Sequence, residues 1–265
     1  MMVIYEPSLA TESIEYLEFV EKFKPKKTTD DCITPLPVYE AVFSWATLEY
    51  GLQGREVVRP FWPGEDFRCF DYPDGCVVID NPPFSIISKI VGFYNHHSID
   101  YFLFAPHLTN FSIKNTNHVI TDCCVTYENG AIVNTSFVTN LGEYLISTSP
   151  TLYQAISAAD KENRNDTKPA RKLYVYDWPF ELCTAAGLSG LAQNGIDFHV
   201  RHGEAYFVGN LDGARKLGKC IFGSGFLLAQ ARAKAQARAK APVKIELSKQ
   251  EKEIVEQLSE DEAIS

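Results

Sequence analysis

The stretch Cys76-Val77-Val78-Ile79-Asp80-Asn81-Pro82-Pro83-Phe84-Ser85 decides the fold of this chain. Its first four residues are apolar, include three β-branched side chains and run into a turn signal. That pattern reads as a short strand buried on both faces. The next segment, Ile86 to Tyr94, carries its apolar groups at helical spacing, and Tyr101 to Ala105 is a second apolar run. A third, Val57-Val58, lies upstream. Strand, helix and strand in alternation predict an α/β domain with parallel strands. Asp80 to Phe84 then falls at the carboxyl end of a strand, where open α/β sheets gather their ligands.

Outward from this centre, Val38, Val42, Phe43, Trp45 and Leu48 predict a helix stopped at Gly51. Val119 to Tyr127 and Ala131 to Val138, joined by Glu128-Asn129-Gly130, predict a β-hairpin. That hairpin is expected to close a mostly parallel sheet, with a helix over Thr151 to Ala159 following it. Four segments result. Residues 1–30 hold an amphipathic helix (Ser8 to Phe23) and a basic linker (Lys22 to Lys27), and 31–160 form the core domain. Residues 161–228 form an α+β region that opens with the polar stretch Lys161 to Arg171. Its expected elements are strands at Leu173 to Tyr176, Ile196 to Val200 and Ala205 to Val208, and a helix over Glu181 to Gln193. Residues 229–265 contain the repeat ARAKAQ–ARAKAP, read as an exposed helical spacer, and an acidic helix over Ser248 to Leu258.

Composition bounds the function. The 265 residues are 45% hydrophobic, which is enough for a sizeable core. No apolar run reaches the roughly 18 residues of a membrane span. The opening MMVIYEPSLATESIEY lacks the basic and apolar regions of a signal peptide. The seven cysteines show no Cys-x-x-Cys pair, and the six histidines form no His-x-His or His-x-x-x-His pair. Free thiols in a cytoplasmic protein are expected, and no metal site. The formal net charge is −9, yet 14 basic and 7 acidic residues lie between Lys161 and Lys244. A local cationic face on an acidic protein permits phosphate contact in that half.

Two consecutive prolines after Asn81 fix the backbone and direct its carbonyls. Such a rigid cradle suits methyl transfer to the exocyclic amine of adenine, a weak nucleophile because its lone pair is delocalised into the ring. The Asn81 side-chain oxygen and the Pro82 carbonyl would each hold one N–H and localise that lone pair; the chemistry is positioning and electrostatics. Phe84 would stack on the base, flipped out of the duplex. Asp80 and Pro83 complete the catalytic loop, Asp80 by fixing it.

Asp31-Cys32-Ile33-Thr34-Pro35, a helix, Arg59-Pro60-Phe61-Trp62-Pro63-Gly64-Glu65-Asp66-Phe67 and then Asp80-Asn81-Pro82-Pro83-Phe84-Ser85 follow one another in order. This order resembles that of the adenine-specific DNA methyltransferases, in particular the EcoRI-type enzymes and their short phage-encoded relatives. The resemblance covers roughly Asp31 to Leu141. It implies a Rossmann-like class I methyltransferase fold, S-adenosylmethionine as cofactor and double-stranded DNA as partner. It also implies that Thr34 and Pro35 contact the cofactor. Pro60, Phe61, Trp62 and Gly64 would form its loop, in which Arg59 stands where the family has Asp. Only about a dozen residues separate Phe67 from Asp80, where the full fold has two more strand–helix units; the fold is therefore contracted, and Asp66 and Asp71 are the nearest acids for the cofactor ribose. A second glycine loop, Cys220-Ile221-Phe222-Gly223-Ser224-Gly225, followed by Glu246, is an alternative cofactor site. The rival functions are methylation of RNA or of a glutamine amide, and non-catalytic DNA binding by a degenerate form of the fold.

Overall fold

The computed structural model describes residues 33–61, 65–160, 178–229 and 247–264. The helix expected near the N-terminus, the Leu173 to Tyr176 strand and the Ala-rich repeat lie outside these residues, as do Trp62 and Gly64. The architecture is α/β, built on a seven-stranded mixed sheet. Five strands run in one direction: β1 (Val57–Val58), β2 (Val77–Asp80), β3 (Asp100–Pro106), β4 (Asn117–Thr126) and β6 (Tyr144–Thr148). Two run against them, β5 (Ile132–Thr139) and β8 (His199–Arg201). The spatial order is β1-β2-β3-β5-β4-β6-β8.

Alternation along β2 and β3 feeds two cores. Val77, Ile79, Phe102 and Phe104 face one side, covered by α1 (Leu36–Glu49) and α3 (Pro150–Asp160). Val78, Tyr101, Leu103 and Ala105 face the other, covered by α2 (Ile87–His97). In α1, Pro35 is the N-cap and Pro37 lies in the first turn, where a missing N–H costs nothing. Its buried stripe is Val38, Val42 and Ala46; Leu48, expected inside, is 74% exposed because it lies two residues past Ala46 and so on the opposite face of the helix. Trp45 donates its ring N–H to Thr151 Oγ1 at 2.9 Å, which joins α1 to α3.

The hairpin forms as the Asn-Gly signal predicts, with Gly130 at φ 79° and Tyr127 N donating to the Ala131 carbonyl. Its position differs from the expectation. β5 inserts between β3 and β4, and β6 and β8 extend the sheet beyond it, so the hairpin lies inside the sheet. β6 escaped the sequence reading because a run of five residues with Ser and Thr at its end gives little periodicity.

The C-terminal region adds a three-stranded antiparallel sheet, β7 (Leu182–Cys183), β10 (Gly225–Leu228) and β9 (Ala205–Val208). The helix expected over Glu181 to Gln193 shrinks to one turn, α4 (Ala185–Leu188), flanked by Thr184 and Gly190. A short helix α5 (Asp212–Lys216) and the terminal α6 (Lys249–Ile264) follow. Ser248 and Glu251 cap α6 reciprocally: Glu251 Oε2 accepts from Ser248 N and Ser248 Oγ from Glu251 N. No helix among the described residues is long and apolar enough to cross a membrane.

His118 on β4 is wholly buried, and burial lowers its pKa from the ordinary 6.5 to about 3. The folded state favours the neutral ring, so this stabilisation is complete above about pH 6.5 and is lost as pH falls towards 3. Within that window the contribution declines by about 1.4 kcal/mol per pH unit. Urea unfolding of the wild type should weaken on acidification from pH 6.5 to 4 more steeply than that of a His118→Gln variant; parallel pH profiles would refute this.

Candidate active site at the carboxyl edge of the sheet

β2 ends at Asp80, and the chain passes through Asn81, Pro82 and Pro83 into a 3-10 turn, Phe84–Ile86, and directly into α2. Pro82 is buried, while Asn81, Pro83 and Phe84 are half-buried. Phe84 packs against the core under α1. Asp80 is only 3% exposed, and its carboxylate is fully engaged. Oδ1 accepts from Asn81 N at 2.9 Å and from Arg59 Nε at 3.1 Å, and Oδ2 accepts from Phe61 N at 3.2 Å. Burial raises the Asp80 pKa above the ordinary carboxylate value, with Arg59 the largest opposing influence. One side chain thus binds the loop after β2 to the loop after β1, and those strands are adjacent and parallel.

Arg59 extends the connection. Its guanidinium lies 3.8 Å from the ring centroid of Tyr39 on α1, a cation–π contact. Burial in turn pushes the Tyr39 hydroxyl up to about 12. Thr34 and Pro35, at the start of α1, lie at the same edge of the sheet, since the Ile33 carbonyl accepts from Glu128 N at the hairpin turn. Thr34 Oγ1 is buried and has no hydrogen-bond partner among the described residues. Pro60 is buried, and Phe61 packs by its ring against Phe67 and Tyr94 at 5.9 and 6.5 Å. The structure therefore brings Thr34, Pro35, Pro60, Phe61 and Asp80 to Phe84 to one edge.

Asp66 is committed elsewhere. It caps the 3-10 turn Phe67–Cys69 and grips the Arg68 guanidinium, with a closest contact of 2.6 Å. Hydrogen bonds from Arg68 hold its carboxyl down at about 2. Between β1 and β2 that turn is the only regular element among the described residues, and β1 is an edge strand. Arg59 and Tyr39 went unassigned in the sequence reading. Their signal was there: an arginine before Pro60-Phe61 is the charge complement of Asp80, 21 residues away.

Two other features resolve as structural. His107 is wholly buried, with Nδ1 2.9 Å from Ser136 Oγ and Nε2 2.8 Å from Ser189 Oγ. Ser136 Oγ already accepts from Thr121 N and Asp122 N, so its proton goes to Nδ1 and the ring carries its own proton on Nε2. His107 therefore donates to Ser189 and clamps the C-terminal region onto the large sheet. The second glycine loop is explained by packing. A Cβ on Gly223, which has φ 79°, would meet the Leu108 carbonyl oxygen, and one on Gly225 would meet Leu182 and Cys183. Two cavities of about 550 and 570 Å³ open away from the Asp80–Phe84 loop, which lines neither. Among the described residues no group of three or more His, Cys, Asp or Glu is placed to hold a metal ion. No family model matches this chain, and comparison with curated proteins and with solved structures likewise gives no match.

A double-mutant cycle of Arg59→Ala and Asp80→Ala, followed by urea unfolding, should give a coupling of about 1–3 kcal/mol; additive losses would mean that the loops are not joined through this pair. Gly223→Ala should destabilise by about 2–4 kcal/mol through overlap and left-handed backbone strain. An unchanged unfolding midpoint would show that the Leu108 contact is not tight.

Proposed function

We propose that this protein transfers the methyl group of S-adenosylmethionine to N6 of adenine in double-stranded DNA, using Asn81 to Phe84 as the acceptor loop of a contracted class I methyltransferase fold. The observation that carries this reading is the Asp80 carboxylate. Its three hydrogen bonds draw the Asn-Pro-Pro-Phe loop against the Arg59–Phe61 loop at the carboxyl ends of neighbouring parallel strands. A methyl donor and an acceptor amine must meet in line, and two loops joined in this way can hold them so. The buried, unpartnered Thr34 hydroxyl fits a polar group of the cofactor, and Pro35, Pro60 and Phe61 would line its remaining side. When bound, the cofactor supplies an electrophilic methyl group on a sulfonium.

The remaining work falls to the chain. The Asn81 side-chain oxygen and the Pro82 carbonyl accept the two N–H bonds of the adenine amine and turn its lone pair towards the methyl group. No base is needed before attack; the amine would become acidic only as the new C–N bond forms and the methyl carbon–sulfur bond breaks, the bonding pair leaving with sulfur as a neutral thioether, and the amine proton would then pass to solvent. Phe84 stacks on the flipped base, a contact worth on the order of 1–3 kcal/mol. Asp80 holds the loop without touching substrate.

A second reading, a DNA-binding protein that has lost its cofactor, is favoured by one observation. β1 is the sheet edge among the described residues, and Asp66, an acid close to its end, is bound to Arg68 rather than free to grip a ribose. Incubation with labelled S-adenosylmethionine and unmethylated plasmid, followed by digestion to nucleosides, separates the two. Label should appear in N6-methyladenosine, disappear with Asn81→Ala and fall roughly tenfold or more with Phe84→Ala. Salt-sensitive DNA binding with neither label nor cofactor binding would replace the first reading by the second.

A further inference from the structure

At the opposite edge of the sheet, by the amino ends of β4 and β6, lies a cavity of about 550 Å³ whose chemistry is independent of the Asp80 loop. Its volume is in the range of small-molecule sites. Most polar groups in its wall are already used. Asn117 Nδ2 donates to the Leu141 and Gly142 carbonyls, and Oδ1 accepts from His202 Nε2 at 2.7 Å. Asn140 bonds Tyr101 N and the Ile99 carbonyl through its two ends. The Thr116 hydroxyl donates to the Thr139 carbonyl and accepts from the Tyr101 hydroxyl.

Besides the exposed Asn115 side-chain amide, three groups are left over, and they are of different kinds. Asn110 Nδ2 donates to the Phe137 carbonyl, which fixes its Oδ1 towards His118 Nδ1 at 2.7 Å. His118 therefore carries its proton on Nδ1, and its Nε2 is a bare acceptor with no partner among the described residues. That ring is 1% exposed and lines the cavity, so the acceptor is built in rather than left at the surface. The second group is the Lys114 ammonium, 5.0 Å from the ring centroid of Phe207. The third is His202 Nδ1, since Asn117 fixes the proton on Nε2. Phe207 and Phe226, 5.7 Å apart and nearly perpendicular, supply apolar walls. No Asp or Glu is among the lining residues.

We propose that this cavity is a binding site for a nucleoside monophosphate, with the planar base against Phe207 and Phe226, a base N–H on His118 Nε2 and the phosphate on Lys114. The combination selects the class. A cation is excluded by Lys114 and the absence of carboxylates. A simple anion leaves the His118 acceptor and both phenyl walls unused. A neutral aromatic leaves the ammonium unused.

The test is calorimetric titration of the full chain with adenosine, guanosine, cytidine and uridine 5′-monophosphates, beside inorganic phosphate and the matching nucleosides. Histidine side-chain ¹⁵N spectra read the same titrations. At least one nucleotide should bind with a Kd on the order of 10 μM, the value expected for a ligand of its size. It should shift the His118 Nε2 resonance, bind more tightly than its nucleoside or than phosphate, and weaken roughly fivefold in Lys114→Ala. Lys114 is exposed, so this variant tests the site without threatening the fold. Absence of binding by all four nucleotides would overturn the proposal. So would phosphate binding as tightly as the nucleotide, or an unmoved His118 resonance.

Discussion

The buried carboxylate of Asp80 is the constraint around which the carboxyl edge of the sheet is arranged. A charge at that depth must be met by donors, and three arrive from two loops: Asn81 N, Phe61 N and Arg59 Nε. Because Arg59 also lies over Tyr39, the start of α1 is drawn into the same network. The rigid Pro82-Pro83 segment can then leave β2 and enter α2 without a glycine. Removing Asp80 would leave Arg59, which is partly buried, without its counter-charge, and release both loops together.

The edge position of β1 has a second consequence. A two-residue strand exposes little unpaired backbone, so the edge of the sheet among the described residues is a short one. Among the described residues no strand lies beyond β1 to form a second wall of a crevice there. The loop after β1 is held by aromatic packing of Phe61 on Phe67 and Tyr94 instead. The carboxyl edge is thus firmly organised on its Asp80 side.

Polar clamps do for the C-terminal region what aromatic packing does for the edge. His107 joins β3 and β5 to Ser189, and His202 joins the end of β8 to Asn117 on β4. Phe226 of β10 packs edge-on against Phe111, near His118, so the small sheet shares a core with the large one. The β8 strand completes the large sheet from a segment that the sequence assigned to a separate region. His107 and His118 are buried and held off protonation, which places the acid-sensitive points of the fold at this junction.

What the sequence determined by itself was local. The β-branched run before Asp80, the helical spacing of Val38, Val42 and Ile86 to Tyr94, and the Asn-Gly turn each encode an element within a few residues, because periodicity and turn geometry are short-range properties. The Asn81–Phe84 motif was legible for the same reason, as was its place at a strand end. Only the tertiary structure decided that the hairpin lies inside the sheet, that β8 joins it, and that Gly223 allows a close backbone approach to Leu108. It alone paired Arg59 with Asp80, committed Asp66 to Arg68 and left the His118 acceptor facing a cavity. Each of these depends on which distant segments meet, and the energy of such a meeting resides in burial and hydrogen-bond satisfaction, which no window of neighbouring residues contains.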